Sequence, residues 1–412
     1  MPPRQKRRKG AASKNAGAES TDVPVIPETP TEGRLWIAYT TDLETLHREV
    51  EVGAEELGLD IEKYLDATGF WETPFRSRLL ASQLPQTVEL LKAVQGKMPR
   101  ATDHQLRCGG ATSARYLRQL RRNVQQASRS EAKWQWLDTD KTTVVTSETE
   151  DAARRVVGAT LEAVSWIFSS TEPRRAFVIG RPPGHHNGCD ERLEAVQRNA
   201  WRFAAHGGCI FNETAVAVRN LLANRPGCKV AILDLDAHFG DGTAWHFYED
   251  PNVFCISLHL DQSDLHFFPF LKGKVAERGS GIGRGCTLNL PLQEGAGNEE
   301  AWQLLEDFAF PSLQDFGPEI LFLALGFDGL EGDPCMAGLR LNNAFFQRAT
   351  ARCCQLCKRL VCTLQGGYGP EATSEALLGV LHVLATGEQL EVDEQGPRSN
   401  RASAMEAVLK DE

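Results

Sequence analysis

Residues 230–238 have the sequence Val-Ala-Ile-Leu-Asp-Leu-Asp-Ala-His, an apolar run that ends in the polar side chains of Asp234, Asp236 and His238. Four successive apolar residues, with β-branched Val and Ile among them, predict a short strand that is buried on both faces. In a parallel sheet covered by helices, ligands bind beyond the carboxyl ends of the strands. The polar residues after this run are therefore candidates for a functional site.

The same arrangement recurs along the chain. Apolar runs at 176–180, 253–258, 320–324 and 360–364 predict four more strands, and polar clusters follow them at 181–186, 258–259, 326–328 and 366–368. Helical spacing of apolar residues predicts helices at 148–167 and 213–222. These runs are continuously apolar, which is typical of parallel strands with helices on both faces. The predicted fold class is α/β, with a single parallel sheet sandwiched between helical layers.

The composition of the chain indicates which parts of it fold. At 412 residues and 42% hydrophobic it can bury a sizeable core. We expect a disordered basic tail at 1–33, a single folded domain at 34–392 and a polar tail at 393–412. The net charge of −10 argues against direct binding of nucleic acid by the main domain.

Targeting signals are few. No apolar run is long enough for a membrane span, and no apolar segment that would make a secretory signal follows the N-terminal charges. The basic run Lys6-Arg7-Arg8-Lys9 is either a nuclear import signal or a solvated end of the chain. We expect an intracellular protein of the nucleus or cytoplasm.

The eleven cysteines are scattered. Cys353, Cys354, Cys357 and Cys362 are close in sequence, and we expect them on one helix. The Cys354–Cys357 spacing resembles half of a zinc knuckle, but no second pair follows to complete four ligands. We therefore predict reduced thiols that pack as small apolar side chains.

Asp236, His238 and Asp328 form the candidate metal site. Asp236 and His238 are two residues apart, which on an extended segment points both side chains the same way, and Asp328 can join them from another strand end. A set of three protein ligands leaves a coordination position open, as in catalytic zinc sites. Carboxylates with one imidazole suit zinc, with iron or cobalt as substitutes. A lone aspartate at a strand end is more often a helix cap, so the prediction depends on convergence of the clusters.

His185 and His186 follow a stiff Pro-Pro-Gly turn. One of them can act as general base for a metal-bound water, and the other can stabilise the developing oxyanion. A catalytic histidine needs a partner that fixes its tautomer, and Asp234 and Asp241 are the nearby carboxylates, one for each. Tyr368 follows two glycines that allow close approach of the backbone, and its hydroxyl can donate to a polarised carbonyl oxygen.

Together these motifs resemble the zinc-dependent histone deacetylases, in particular their class II and bacterial deacetylase-like branch. The resemblance extends from about residue 152 to residue 369. The motifs that carry it, in order, are Arg-Pro-Pro-Gly-His-His, Asp-Leu-Asp-Ala-His-Phe-Gly-Asp-Gly-Thr, Phe-Tyr-Glu-Asp-Pro-Asn-Val, Ser-Leu-His, Gly-Phe-Asp-Gly-Leu-Glu-Gly-Asp-Pro and Gly-Gly-Tyr. The resemblance implies the arginase–deacetylase fold and a reaction in which metal-activated water hydrolyses Nε-acetyl-lysine to lysine and acetate. It also implies acetylated proteins such as histone tails as substrates, and a corepressor-type complex as a partner.

Carried over residue by residue, the resemblance assigns roles to the candidates. Asp236, His238 and Asp328 match the single zinc site, and His186 is the likelier general base of the tandem pair. Tyr368 matches the oxyanion tyrosine, and Gly207 matches the glycine that accepts the substrate amide. A structural potassium ion is expected near Asp234, Asp236, His238, Ser257 and Leu258. A second loop for a monovalent cation is expected at Phe247, Asp250 and Val253.

This chain departs from the family pattern near the substrate channel. Gly208 stands where the family usually has an aromatic wall residue, which predicts a wider channel or a wall from elsewhere. The insertion at 187–206, with Trp201, Arg202 and Phe203, is a candidate lid or substitute wall. Cys335 stands where polyamine-selective relatives have glutamate. The rim aspartate that grips the substrate backbone is Asp138 or Asp140.

Several functions stay open on the sequence. An acetylpolyamine or longer-chain acyl-lysine amidohydrolase is one alternative, and a catalytically inactive scaffold that binds acetyl-lysine is another. A binuclear ureohydrolase is disfavoured, since Gly240 and Leu330 stand where the bridging carboxylates would be required.

Overall fold

The computed structural model describes residues 34–39, 75–131, 133–137, 142–188, 205–261, 268–269, 271–335 and 337–390. The predicted tails at 1–33 and 393–412 lie outside these residues. In chain order the strands are β1 (Leu35–Tyr39), β2 (Val94–Gln95), β3 (Trp134–Trp136), β4 (Val144–Thr146), β5 (Arg174–Ile179), β6 (Val230–Asp234), β7 (Val253–Leu260), β8 (Thr287–Leu292), β9 (Ile320–Leu325) and β10 (Arg359–Leu364).

Eight of these strands form one sheet in the order β2-β1-β5-β10-β9-β6-β7-β8. Every neighbouring pair in this sheet is parallel. β3 and β4 form a separate antiparallel hairpin. The single parallel sheet and all five predicted strands are thereby confirmed.

Helices connect the strands. They are α1 (Phe75–Leu90), α2 (Asp103–Arg107), α3 (Ala114–Arg129), α4 (Thr149–Phe168), α5 (Glu213–Asn224), α6 (Asp241–Phe247), α7 (Asn298–Leu304), α8 (Phe310–Phe316), α9 (Asn343–Leu356) and α10 (Pro370–Thr386). The predicted helices at 148–167 and 213–222 correspond to α4 and α5. Asn212 begins α5, because its side chain accepts a hydrogen bond from the amide of Ala215 at 2.8 Å. Within the described part of the chain, no helix is both long and apolar enough to cross a membrane.

Both faces of the sheet are buried. On β6, Leu233 belongs to one apolar cluster and its neighbour Ile232 to another on the opposite face. On β9, Leu321 and Phe322 divide between the same two clusters. Successive side chains of a strand point to opposite faces, so two clusters on one strand mean two covered faces. This burial explains why the strands are apolar throughout.

The sequence patterns did not identify β1, β2, β8 or the β3–β4 hairpin. Among the residues that the structure describes, β8 lies at the edge of the sheet and pairs with β7 alone. It also contains Pro291, which an edge strand tolerates because one side of its backbone needs no partner. β2 has only two residues, too few for a periodic signal.

The prediction of one cysteine-bearing helix was wrong. Cys353 and Cys354 lie on α9, Cys357 caps the end of that helix, and Cys362 lies on β10. The chain turns between Leu356 and Arg359, so the four residues divide between two elements. All four are buried, and burial raises the pKa of each thiol. Within the described residues every cysteine is free, in accord with packing as small apolar side chains.

Gly158 allows α4 to pack closely against the chain before α2. A Cβ atom at this position would lie 1.7 Å from the carbonyl oxygen of Pro99. Gly158→Ala should therefore force the helix away and destabilise the protein by about 1–3 kcal/mol, as overpacked cores do. Chemical denaturation measures the change, and Glu162→Ala on the exposed face of α4 is the control. Equal denaturation midpoints for the two variants would show that the contact is not tight.

Candidate active site

Asp236, His238 and Asp328 meet at the carboxyl edge of the sheet. The first two lie in a bend after β6, rather than on an extended segment as expected, and Asp328 follows β9. β6 and β9 are hydrogen-bonded neighbours, which brings the three side chains together. Nδ1 of His238 lies 3.1 Å from Oδ1 of Asp236 and 2.8 Å from Oδ2 of Asp328. One ligand atom from each residue lies within 4.8 Å of the others, as a shared metal ion requires.

The electrostatics of this cluster fit a cation. Asp236 and Asp328 are each 1% exposed. Burial and the charge of Asp236 raise the pKa of Asp328 to about 6. Burial would lower the pKa of His238, but its bonds to Asp236 and Asp328 raise it to about 10. Two carboxylates buried this close together need positive charge beside them, so the donor set fits a divalent metal ion.

Backbone groups hold the two carboxylates in place. The amide of Ala237 donates to Oδ1 of Asp328 at 2.9 Å, and the amide of Gly366 donates to Oδ2 of Asp236 at 2.7 Å. A Cβ atom on Gly326 would lie 2.0 Å from Oδ2 of Asp236, and one on Gly366 would lie 2.3 Å from Oδ2 of Asp328. Only glycine fits at these two positions, which explains the glycines of both motifs.

His185 and His186 lie beside this cluster, each with its own carboxylate. Nδ1 of His185 lies 3.0 Å from Oδ2 of Asp234, and Nδ1 of His186 lies 2.8 Å from Oδ1 of Asp241. The two imidazole rings are 4.0 Å apart. Gln365 fixes the turn, because its Oε1 accepts hydrogen bonds from the amides of Gly184 and His185 at 3.1 and 3.2 Å. The predicted pairing of one aspartate with each histidine is present.

The surroundings of the two histidines drive their pKa values apart. Burial opposes the charged form of His185, but the charges of Asp236 and Asp234 raise its pKa to about 9. Burial lowers the pKa of His186 well below its ordinary value, and the charge of His185 lowers it further. Adjacent groups with divergent pKa values are suited to different roles. The pKa of His185 is thus shifted upward and that of His186 downward, although the two residues are adjacent in the chain.

The segment that carries Tyr368 is held by Asp333. Oδ2 of Asp333 accepts hydrogen bonds from the amides of Tyr368 and Gly369 at 2.8 and 3.0 Å. Its Oδ1 accepts one from the amide of Cys335 at 3.0 Å, and the Cys335 thiol donates to the carbonyl of Asp328 at 3.3 Å. Sequence analysis did not single out Asp333, although the Gly-Asp-Pro at 332–334 is a signal for such a turn.

Gly207 and Gly208 lie beside the histidines with positive φ angles of 59° and 76°. The hydroxyl and carbonyl of Thr142 accept hydrogen bonds from their respective amides, at 2.8 and 3.0 Å. Sequence analysis missed Phe268, whose ring centroid lies 4.9 Å from that of His186 and 6.2 Å from that of His238. Phe268 therefore supplies an aromatic side chain next to the site.

Two expectations for the channel lie outside the described residues. The insertion is described only at its two ends, so Trp201, Arg202 and Phe203 are not placed. The two candidates for the rim aspartate, Asp138 and Asp140, are not placed either.

The residues expected to hold potassium fall into two groups. Asp234 and Ser257 are paired across β6 and β7, and Leu258 follows on β7. In the second group, the carbonyl of Phe247 accepts from the amide of Asp250 at 2.9 Å, and the carbonyl of Asp250 accepts from the amide of Val253 at 3.3 Å. This turn leads from α6 into β7. The role of both groups stays a prediction.

Comparisons with known proteins agree with this geometry. Residues 71–384 match the family model described as the histone deacetylase domain. Histone deacetylase 9 of Homo sapiens is 30% identical over 270 residues, which cover 63% of this chain and 25% of that protein. A probable deacetylase of Methanothermobacter thermautotrophicus is 32% identical over 262 residues, covering 64% of this chain and 72% of that protein.

A solved structure titled "Crystal Structure of HDA15 HD domain" superposes with a TM-score of 0.70 at 23% identity, covering 92% of this chain and 94% of that one. This likeness confirms the expected arginase–deacetylase fold. The chain spans about a quarter to a third of the length of the first curated relatives it matches. On the match of its domain, the chain belongs to the histone deacetylase family, and the domain it carries is that of a hydrolase.

Proposed function

We propose that this chain is a zinc-dependent lysine deacetylase, which hydrolyses Nε-acetyl-lysine in proteins to lysine and acetate. The observation that supports this most strongly is the convergence at one sheet edge of a three-ligand metal cluster with His186, a buried histidine of lowered pKa. Metal-assisted amide hydrolysis needs a cation site with an open position and a neutral base beside it.

The side chains divide the reaction between them. Zinc held by Asp236, His238 and Asp328 would polarise the substrate carbonyl and lower the pKa of a water molecule. His186, oriented by Asp241, accepts the proton of that water as its oxygen bonds to the acetyl carbon. The charged His185 and the hydroxyl of Tyr368 stabilise the negative charge on the carbonyl oxygen. The proton then passes from His186 to the lysine nitrogen as the C–N bond breaks, and acetate is released.

Two features favour acyl-lysine in a protein over a polyamine. Cys335 carries no carboxylate that would bind a second amine of a polyamine. Phe268 offers an apolar face beside the histidines, against which the methylene stem of lysine can pack. Gly207 would accept the substrate amide through its carbonyl. Acetylated histone tails, a corepressor-type complex and a location in nucleus or cytoplasm are the corresponding proposals for the biological setting.

One observation favours a second candidate function, the removal of longer acyl chains. Gly208 has no side chain where the family usually places an aromatic wall. A channel that is open on this side would admit an acyl group larger than acetyl. The alternative of an inactive scaffold has less support, since every catalytic side chain named by the resemblance is present in the chain.

Potassium is proposed as a structural ion. Asp234, the last residue of β6, is paired with Ser257 within β7, and Asp236 and His238 follow Asp234 closely in the chain. A monovalent cation bound by backbone carbonyls there, with Leu258, would offset part of the negative charge of the buried aspartates. The turn of Phe247, Asp250 and Val253 is the proposed second position.

Removal of a metal ligand tests the metal site. Wild-type protein should carry about one zinc ion per chain, and Asp236→Ala and Asp328→Ala should each lose most of it, because two ligands do not hold zinc. Metal content measured by mass spectrometry after dialysis gives the answer. Cys357→Ala is the control, and it should keep its zinc. If both aspartate variants retained zinc and the cysteine variant lost it, the zinc would be bound by cysteine thiols instead of by Asp236 and Asp328.

Loss of the proton acceptor or of the oxyanion donor tests the mechanism. His186→Ala should lower turnover of a fluorogenic acetyl-lysine peptide by about 10²–10⁴-fold. Tyr368→Phe should lower it by about 10²–10³-fold, the usual effect of losing one oxyanion donor. The exposed His104→Ala and the partly buried Tyr248→Phe, at residues that have no role in the proposed reaction, are matched controls. Near-normal rates in both active-site variants would remove the proposed mechanism.

A side chain at position 208 tests the acyl preference. Gly208→Phe should narrow the channel and shift the ratio of acetyl to longer-acyl turnover toward acetyl, by about tenfold for a steric change of a few methylenes. Position 208 has a positive φ, so Gly208→Asn, which tolerates that conformation, serves as the control for strain. If Gly208→Phe left the ratio of acetyl to longer-acyl turnover unchanged, another residue would form this wall of the substrate channel.

A further inference from the structure

Asp241 has more partners than the proposed mechanism uses. Its Oδ1 accepts hydrogen bonds from Nδ1 of His186 at 2.8 Å and from the amide of Gly242 at 3.0 Å. Its Oδ2 lies 3.1 Å from Nε2 of His206 and accepts a hydrogen bond from the ammonium of Lys272. The carboxylate that orients the general base is therefore held from its far side by two further side chains.

Lys272 is buried, with 8% of its surface exposed. Lysine is almost never buried unless it is paired, because removing an ammonium from water is unfavourable. Burial lowers the pKa of Lys272, and the charge of Asp241 opposes that effect. The ion pair with Asp241 is thus what allows this lysine to stay in the interior.

The loop that carries Lys272 is tied to the sheet. The carbonyl of Gly273 accepts a hydrogen bond from Nε2 of His259 at 3.0 Å, and Nδ1 of His259 accepts one from the Ser257 hydroxyl at 2.9 Å. The amide of Gly273 donates to Oε2 of Glu277 at 3.1 Å. A Cβ atom on Gly273 would lie 2.3 Å from Nε2 of His259, so the loop approaches β7 as closely as glycine allows. These contacts with His259 and Glu277 fix the position of Gly273, the residue that follows Lys272.

The second contact to Oδ2 of Asp241 comes from His206, which lies in a different segment of the chain from Lys272. His206 precedes Gly207, whose amide is bound by Thr142, and its ring centroid lies 5.5 Å from that of His186 and 5.0 Å from that of Phe268. His186, His206 and Asp241 come close enough together to suggest a second metal site. However, Lys272 occupies the same oxygen of Asp241 that His206 contacts, and an ammonium at that oxygen repels a metal cation. The cation that completes the group of His186, His206 and Asp241 is therefore the ammonium of Lys272 rather than a metal ion.

We propose that Lys272 and His206 are positioning residues, which anchor Oδ2 of Asp241 so that Oδ1 stays on Nδ1 of His186. The proposal rests on the proposed function, since it takes His186 as the proton acceptor. A carboxylate anchored through one oxygen cannot rotate away from the imidazole. His186 then keeps its proton on Nδ1, and its Nε2 stays available to the attacking water.

Variants of Lys272 test this role in the zinc-loaded full chain. Lys272→Met removes the charge and keeps most of the stem, and it should lower kcat on the acetyl-lysine peptide by about 10–100-fold, as loss of a supporting partner usually does. KM and zinc content should stay near wild type. Lys272→Arg should recover most of the rate, and Lys274→Met, two residues away and exposed, is the matched control. A normal kcat in Lys272→Met would overturn the proposal.

A double variant separates positioning from a general effect on the fold. In an Asp241→Asn background, Lys272→Met should lower the residual kcat by less than about twofold, because the charged partner is already gone. The same large loss in both backgrounds would contradict the proposal. If Lys272→Met does not fold, His206→Gln carries the test, with an expected loss of about tenfold in the wild-type background and little in Asp241→Asn.

A readout without turnover distinguishes this proposal from the proposed function. Nitrogen-15 NMR of labelled histidines, assigned with His186→Ala, should show His186 as a single Nδ1–H tautomer in wild type and as a mixture in Lys272→Met. An unchanged tautomer in the variant would overturn the positioning role. Wild-type protein that holds this tautomer but does not hydrolyse any acyl-lysine peptide would overturn the proposed function and leave the positioning role standing.

Discussion

Four buried carboxylates at one edge of the sheet are the constraint on which the rest of the structure depends. Asp234, Asp236, Asp241 and Asp328 are each 1–3% exposed. A buried carboxylate is unfavourable unless donors or cations surround it. Here each one is met by backbone amides, an imidazole or an ammonium. Because every such contact is directional, neutralising the four charges also orients the groups around them.

The sheet makes this concentration of charge feasible. β6 carries Asp234 and leads to Asp236, and its neighbour β9 leads to Asp328. Parallel neighbours end at the same edge, so residues that are 92 apart in sequence become adjacent without a special local motif. The apolar clusters on both faces hold the strands in register. Glycines at 326 and 366 then allow the loops to approach within contact of the carboxylates.

The sequence was most informative where the signal is local. Continuous apolar runs predicted five central strands, and the polar residues at their ends predicted that Asp236, His238 and Asp328 come together and that each histidine is paired with an aspartate. What it did not identify depends on contacts between distant loops. Lys272 and Asp241 are separated by 31 residues. Neither the lysine, nor Phe268 beside the histidines, nor Asp333 beneath Tyr368 belongs to a periodic pattern. Likewise, β8 contains a proline that argues against a strand until its place at the edge is known.

The most direct test of the account is the ligand set around the bound metal. X-ray absorption spectroscopy of the zinc-loaded full chain should show only oxygen and nitrogen neighbours at about 2.0–2.2 Å, as two carboxylates and one imidazole require. A sulfur neighbour at about 2.3 Å would mean that cysteine binds the metal instead. That result would contradict a catalytic centre built from Asp236, His238 and Asp328.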